Sequence, residues 1–131
     1  MNKRDILNRL FVENNLTDED VFKHQHYTII TRAGIDKIQA NIDISIVYEV
    51  IKCEPHFAVV KANANVGEKT IQTFGSALKG STFKDGNTNS WYVMEMAEKR
   101  AMSRAVLKLA GFYELGVFGE DESESFKRNN N

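Results

Sequence analysis

Three consecutive runs of alternating apolar and polar residues limit this chain more than any other feature. In NIDISIVYEVI, residues Ile42, Ile44, Ile46, Tyr48 and Val50 fall on one face, with Asp43, Ser45 and Glu49 on the other. KCEPH interrupts the pattern, and its Pro55 marks a connection. FAVVKANANV then sets Ala58, Val60, Ala62, Ala64 and Val66 together, opposite Lys61, Asn63 and Asn65. Gly67 and Glu68 supply a turn, and KTIQTFGSAL reads as a third strand. A period of two in successive runs predicts an antiparallel meander with one buried face. Its alanines leave room for another element to lie close.

That element is WYVMEMAEKRAMSRAVLKLAG, a long helix that Asn89 or Ser90 is expected to cap and Gly111 to end. At 100° per residue, Trp91, Met94, Ala101, Met102, Ala105, Val106 and Leu109 share a broad face, assigned to the sheet. Val93, Met96, Ala97 and Leu107 lie on another side, interleaved with Arg100, Arg104 and Lys108 at i, i+4 and i+8. One sheet cannot bury both faces, so a neighbouring copy of the chain is expected to cover the second. Glu98 projects into the apolar face, where a structural ion pair is expected if it is buried. The basic row reads either as a solvated face or as a strip that tracks a phosphate backbone.

Upstream, DILNRLFVE predicts a short amphipathic helix with Ile6, Leu7, Leu10 and Phe11 on one face. Thr17 is placed to cap a further turn carrying Val21 and Phe22, HYTII reads as a short strand, and Thr31 caps RAGIDKIQA. KGSTFKDGNTNS is a loop by composition. The fold class is therefore α+β: a three-stranded meander packed by a long C-terminal helix, with helices at the N-terminus. The chain divides into an N-terminal helical segment (1–27), a β-β-β-α core (28–113) and an acidic tail (114–131) expected to be disordered.

Net charge over the 131 residues is −1, which by itself argues against a polyanion partner. The distribution reverses that reading: Lys52 to Tyr113 holds nine basic and five acidic residues, between two acidic flanks. No apolar run approaches the ~18–20 residues of a membrane span. MNKRDILNRLFVENN lacks the apolar core of a secretory signal, and the lone Cys53 fits a reducing compartment, so a cytoplasmic location and no membrane partner are expected.

The segment TFGSALKG…SWYVMEMAEKRAMSRAVLKLAGFYELGVFGEDE resembles the single-strand annealing proteins of phages and mobile elements, of the Sak and Erf type. More distantly it is similar to the ring-forming annealing protein of eukaryotic homologous recombination. The resemblance spans about Thr28 to Glu122 and is strongest from Thr73 to Gly111. It implies an oligomeric ring or filament whose groove holds single-stranded DNA by its backbone, annealing strands without ATP, metal or other cofactor. A recombination or single-strand-binding protein is an implied partner. Arg104 matches the basic residue near the end of the family helix and is assigned to phosphate, and Arg100 and Lys108 follow by helical spacing. Lys61, Lys69 and Lys79 are further candidates from the strands. Tyr92 is assigned to stack bases, and Trp91 is assigned to the core. Replacing Arg100 and Arg104 with Ala is then expected to spare folding while weakening DNA binding. These 131 residues are short for the family and no appended recruitment domain is expected, so the alternative is a phage protein that kept the fold and grips a host protein.

Other chemistry is thinly supported. His24 and His26 with Cys53 and His56 offer soft ligands, but there is no C-x-x-C or H-E-x-x-H spacing, so no metal site is assigned. No G-x-x-x-x-G-K-[ST] phosphate loop occurs and Cys53 has no evident base, so no catalytic residue is assigned.

Overall fold

A computed structural model describes residues 2–82 and 85–122. Helix α1 (Lys3–Glu13) starts at a capping box: the Asn2 side chain accepts from the Asp5 amide, and the Asp5 carboxylate accepts from the Asn2 amide. α1 buries none of its residues fully, although the Phe11 ring stacks on Phe112 at 5.9 Å. Next come strands β1 (Val21–His24) and β2 (Tyr27–Ile30), an antiparallel hairpin. Val21 and Phe22 thus lie in a strand and not in the helical turn that Thr17 was expected to cap. The reason is Asp20, whose carboxylate accepts from the Thr17 amide (2.9 Å) and hydroxyl (3.2 Å) and closes a turn before the strand.

Lys37 donates to the same carboxylate at 2.6 Å. This bond, with the Thr17 amide, holds buried Asp20 below the usual carboxylate range. The contribution is present at neutral pH and is lost as pH falls below about 4 towards the lowered folded value.

Helix α2 (Arg32–Ile42) begins where predicted, with Thr31 Oγ1 accepting from the Gly34 amide. It buries Ile35 and Ile38 and ends at Asp43 in the left-handed region (φ 59°).

The three-stranded meander is present, but its first strand is shifted: Ile42 ends α2, the strand runs on through Lys52–Glu54, and Val50, assigned to the buried face, is 57% exposed because the long helix lies over the other two strands. Strands β3 (Ser45–Glu54), β4 (Phe57–Val66) and β5 (Lys69–Leu78) pair antiparallel in the order β3-β4-β5. Ala58, Val60, Ala62 and Ala64 of β4 are buried on one face, joined by Thr73, Gly75 and Ala77 of β5. Helix α3 (Val93–Leu109) lies across β5 and β4. The approach is close because Gly75 has no side chain: a Cβ there would collide with the Ala97 carbonyl and the Ala101 amide. The Thr73 hydroxyl donates to the Ala101 carbonyl at 2.7 Å and fixes the helix on the sheet.

The second apolar side of α3 is covered by the chain itself. After a 3₁₀ turn at Tyr113–Leu115, strand β6 (Val117–Gly119) pairs parallel with β2, forming a small sheet in the order β1-β2-β6. Ser103 packs against Gly119, and Leu107 is fully buried. From Ala101 to Leu107 every residue but Arg104 is buried, as expected of a helix that is apolar nearly all round. No neighbouring copy is needed to cover it. Two expectations change accordingly. Ala97 belongs to the face over the main sheet, and residues 114–122 of the tail form ordered structure; residues 123–131 lie outside the described residues. The small sheet also draws on all three sequence segments, 1–27, 28–113 and 114–131.

Among the described residues, no helix is long and apolar enough to cross a membrane.

Candidate nucleic-acid interface

The three cations spaced along α3 have different surroundings. Arg100 is only 3% exposed. Its guanidinium donates to the main-chain carbonyls of Ser76 (2.8 Å), Asn87 (2.9 Å) and Asp121 (3.1 Å). It ties β5, the loop before α3 and the segment after β6 together. A phosphate could reach this group only by displacing those bonds, so Arg100 leaves the set of surface contacts. Arg104 is intermediate: it donates to the Phe74 carbonyl at 2.9 Å and pairs with Glu122 at 3.2 Å, with its side chain 40% exposed. Lys108 is exposed, its ammonium 5.1 Å from the Tyr113 ring centre.

Asn87 completes what the arginines begin. Its side-chain oxygen accepts from the Leu78 amide (2.7 Å), its side-chain nitrogen donates to the Ser76 carbonyl (3.3 Å), and its amide donates to the Leu78 carbonyl (2.9 Å). From Phe74 to Leu78 the outer edge of β5 is thereby occupied.

The remaining cations are dispersed. Lys61 projects from the helix-free face of the sheet, in register between Glu49 and Phe74. Lys69 is exposed at the start of β5, beside the turn where Gly67 takes φ 58°. Lys79, at the exit of β5, places its ammonium 3.8 Å from the centre of the Trp91 ring. Trp91 and Tyr92 are 68% and 69% exposed. The assignment of Trp91 to the core is therefore overturned: α3 starts at Val93, so a helical wheel does not apply to Trp91. Tyr92 is itself the N-cap, and Ser90 accepts from the Tyr92 amide at 3.0 Å instead of capping the helix interior. The His56 ring, from the β3–β4 turn, lies 5.6 Å from Trp91.

Of the seven residues named from sequence, then, Lys79 lies against Trp91 at one end of α3, with Tyr92 next to Trp91 in the chain, while Arg104 and Lys108 sit towards the other. The 17-residue helix separates its ends by roughly 25 Å. His56 joins the first group unforeseen; the only trace of it in the sequence is Pro55, which places a turn there.

Charge elsewhere serves the fold. Glu98 is exposed and not set in the apolar face. Burial pushes the Tyr48 hydroxyl above its usual range, and the Glu98 carboxylate adds to the effect. His24 ends β1 and His26 lies in the β1–β2 turn, whereas Cys53 and His56 belong to the β3–β4 hairpin of the other sheet. Among the described residues, no three His, Cys, Asp or Glu side chains are grouped to hold a metal ion.

No protein-family model, curated protein or solved structure matches the chain. The fold class rests on the molecule itself: an α+β protein whose long helix is enclosed between a three-stranded meander and a smaller mixed sheet.

Proposed function

We propose that the protein binds single-stranded DNA and promotes annealing of complementary strands, without ATP or a cofactor. The observation that carries this reading is the cluster of exposed Trp91 and Tyr92 with the Lys79 ammonium 3.8 Å over the indole. Rings of this kind stack successive bases without regard to sequence, and a cation beside them holds the backbone. Arg104 and Lys108 offer further charge along the same helix, and Lys69 at the hairpin; Lys61, on the helix-free face, is a weaker contributor. A homo-oligomer and a recombination or single-strand-binding partner remain part of the proposal, on the family resemblance alone.

Trp91 is the only tryptophan, so its fluorescence reports directly on the site. Titration with an unstructured oligonucleotide should quench the emission, with affinity falling as salt rises. Trp91→Ala should weaken binding by about 1–3 kcal/mol, the worth of one stacked base. Unquenched emission together with salt-independent binding would remove the cluster from the interface. The competing reading is a protein partner docked on β3, where Val47, Val50 and Ile51 are exposed. It predicts no DNA binding even at low salt.

A further inference from the structure

A cleft of about 820 Å³ opens between α1, the β1–β2 hairpin and the turn leading into β6. That volume lies within the usual range of small-ligand sites. Phe11, Tyr27 and Phe118 contribute rings to its lining, and the Tyr27 and Phe118 rings meet edge to face at 5.6 Å. Around them stand Lys3 and Arg4 from α1, and Lys23 and His26 from the hairpin. No Asp or Glu is among the described residues lining the cleft, and none of these four side chains is ion-paired to a described residue. In a chain of net charge −1, Lys3, Arg4 and Lys23 concentrate positive charge here with no acidic partner among the described residues.

The placement of two of these cations is not explained by helix stability. Lys3 and Arg4 occupy the first turn of α1, the positive end of its dipole, while the last turn carries no basic residue. Cations favour the opposite end. The Lys3 ammonium also leans across towards the other wall, so that a Cβ added at Gly116 would lie 3.6 Å from it. Lysine and arginine held against the dipole, over a wall of rings, suit an anion attached to a planar apolar body. Asn8 and Thr28, also in the lining, provide an amide and a hydroxyl that make no side-chain hydrogen bond among the described residues and are free there to read the edge of a base.

We propose that this cleft is a nucleotide site, with Lys3, Arg4 and Lys23 on the phosphate and the rings of Phe11, Tyr27 and Phe118 against the base. The ligand is either a free mononucleotide or the 5′-phosphorylated end of a strand, which present the same chemistry. The site lies away from Trp91, near the opposite end of α3, and does not depend on the reading given to that residue.

The test is calorimetric titration of the full chain with deoxyadenosine 5′-monophosphate, set against deoxyadenosine and inorganic phosphate as its two halves. The nucleotide should bind at least about ten-fold more tightly than either half, because only the whole ligand engages both cations and rings. The double variant Lys3→Gln, Arg4→Gln should lose about ten-fold or more, and Lys23→Gln, on a separate element, should lose in the same direction. All three side chains are exposed, and a circular dichroism spectrum verifies that the fold is kept. Trp91→Ala should leave mononucleotide affinity unchanged, which keeps this result distinct from the outcome at the α3 end. A 5′-phosphate that strengthens oligonucleotide binding, and is competed away by mononucleotide, assigns the site to strand ends. Equal affinity of phosphorylated and unphosphorylated strands, with mononucleotide binding intact, assigns it to the free nucleotide. Absence of binding at millimolar nucleotide overturns the proposal. So does a nucleoside or bare phosphate that binds as well as the nucleotide, or a nucleotide affinity indifferent to the Lys3, Arg4 and Lys23 changes.

Discussion

The two edges of the main sheet are finished in opposite ways. On β5 the outward carbonyls of Phe74 and Ser76 are taken by Arg104 and Arg100, and Leu78 is held at both its amide and its carbonyl by Asn87. On β3 no strand lies outside the ladder among the described residues, and Val47, Val50 and Ile51 are 69%, 57% and 49% exposed. That edge is moderated only by a register shift between Val50 and Lys52 and by the charges of Glu49, Lys52 and Glu54. Open edges invite strand addition, and arginines that bond edge carbonyls occupy the acceptors an added strand would use. The contrast explains most of the basic row on α3. Arg100 and Arg104 face β5 because the edge needs donors, and only Lys108 of the row is exposed without a bond to that edge. It also restricts assembly: a second copy that extends the sheet must add to β3.

Unsealing β5 at its most buried point should cost most. Arg100→Ala strands carbonyls of three segments, and chemical denaturation should show a loss of about 3 kcal/mol, with faster proteolysis of the loop before α3. This replaces the expectation that folding survives loss of both arginines. Arg104→Ala, at a half-exposed position, should cost about 1 kcal/mol after allowance for solvent screening, measured the same way. Asn87→Ala removes two edge bonds near the surface and should also cost about 1 kcal/mol; a larger loss than that of Arg100→Ala would reverse the ranking of the two seals. On the open edge, Val47→Lys should change stability by no more than about 0.5 kcal/mol. Its effect belongs in sedimentation velocity, where any self-association through β3 should weaken. If oligomers persist unchanged, the copies meet elsewhere.

How far each part was legible follows from where its determinants lie. The meander was visible because one buried face imposes a period of two on β4 and β5, and small residues at Ala58, Ala62 and Ala64 announced the helix above them; in β3 the alternation survives only as half-buried Ile46 and Tyr48. The Thr31 cap was equally local. The small sheet was hidden, since β6 is three residues long and its partner β2 lies far upstream, so neither periodicity nor composition marks the pairing. That omission made the second face of α3 look unpartnered and pointed to a neighbouring copy. Arg100 was misread for a related reason: its acceptors are main-chain carbonyls, which every residue possesses and which leave no mark in sequence. At the candidate site, Lys79 and Tyr92 could be named but not brought together. The grouping depends on where β5 exits and α3 begins, and that placed Trp91 outside the helix.

The union of β2 with β6 also bears on how the molecule assembles in time. The Arg32 amide, just after β2, bonds the Glu120 carboxylate across 88 residues, and the parallel ladder beside it joins equally remote segments. Chain closure over such a span is entropically slow, and it cannot begin on a ribosome until β6 has emerged. The meander and its hairpins can form from neighbours in sequence. The β1–β2 hairpin must wait for the third strand of its sheet, so mispairing during synthesis is most probable there, with the N-terminal third of the chain exposed until the last elements arrive.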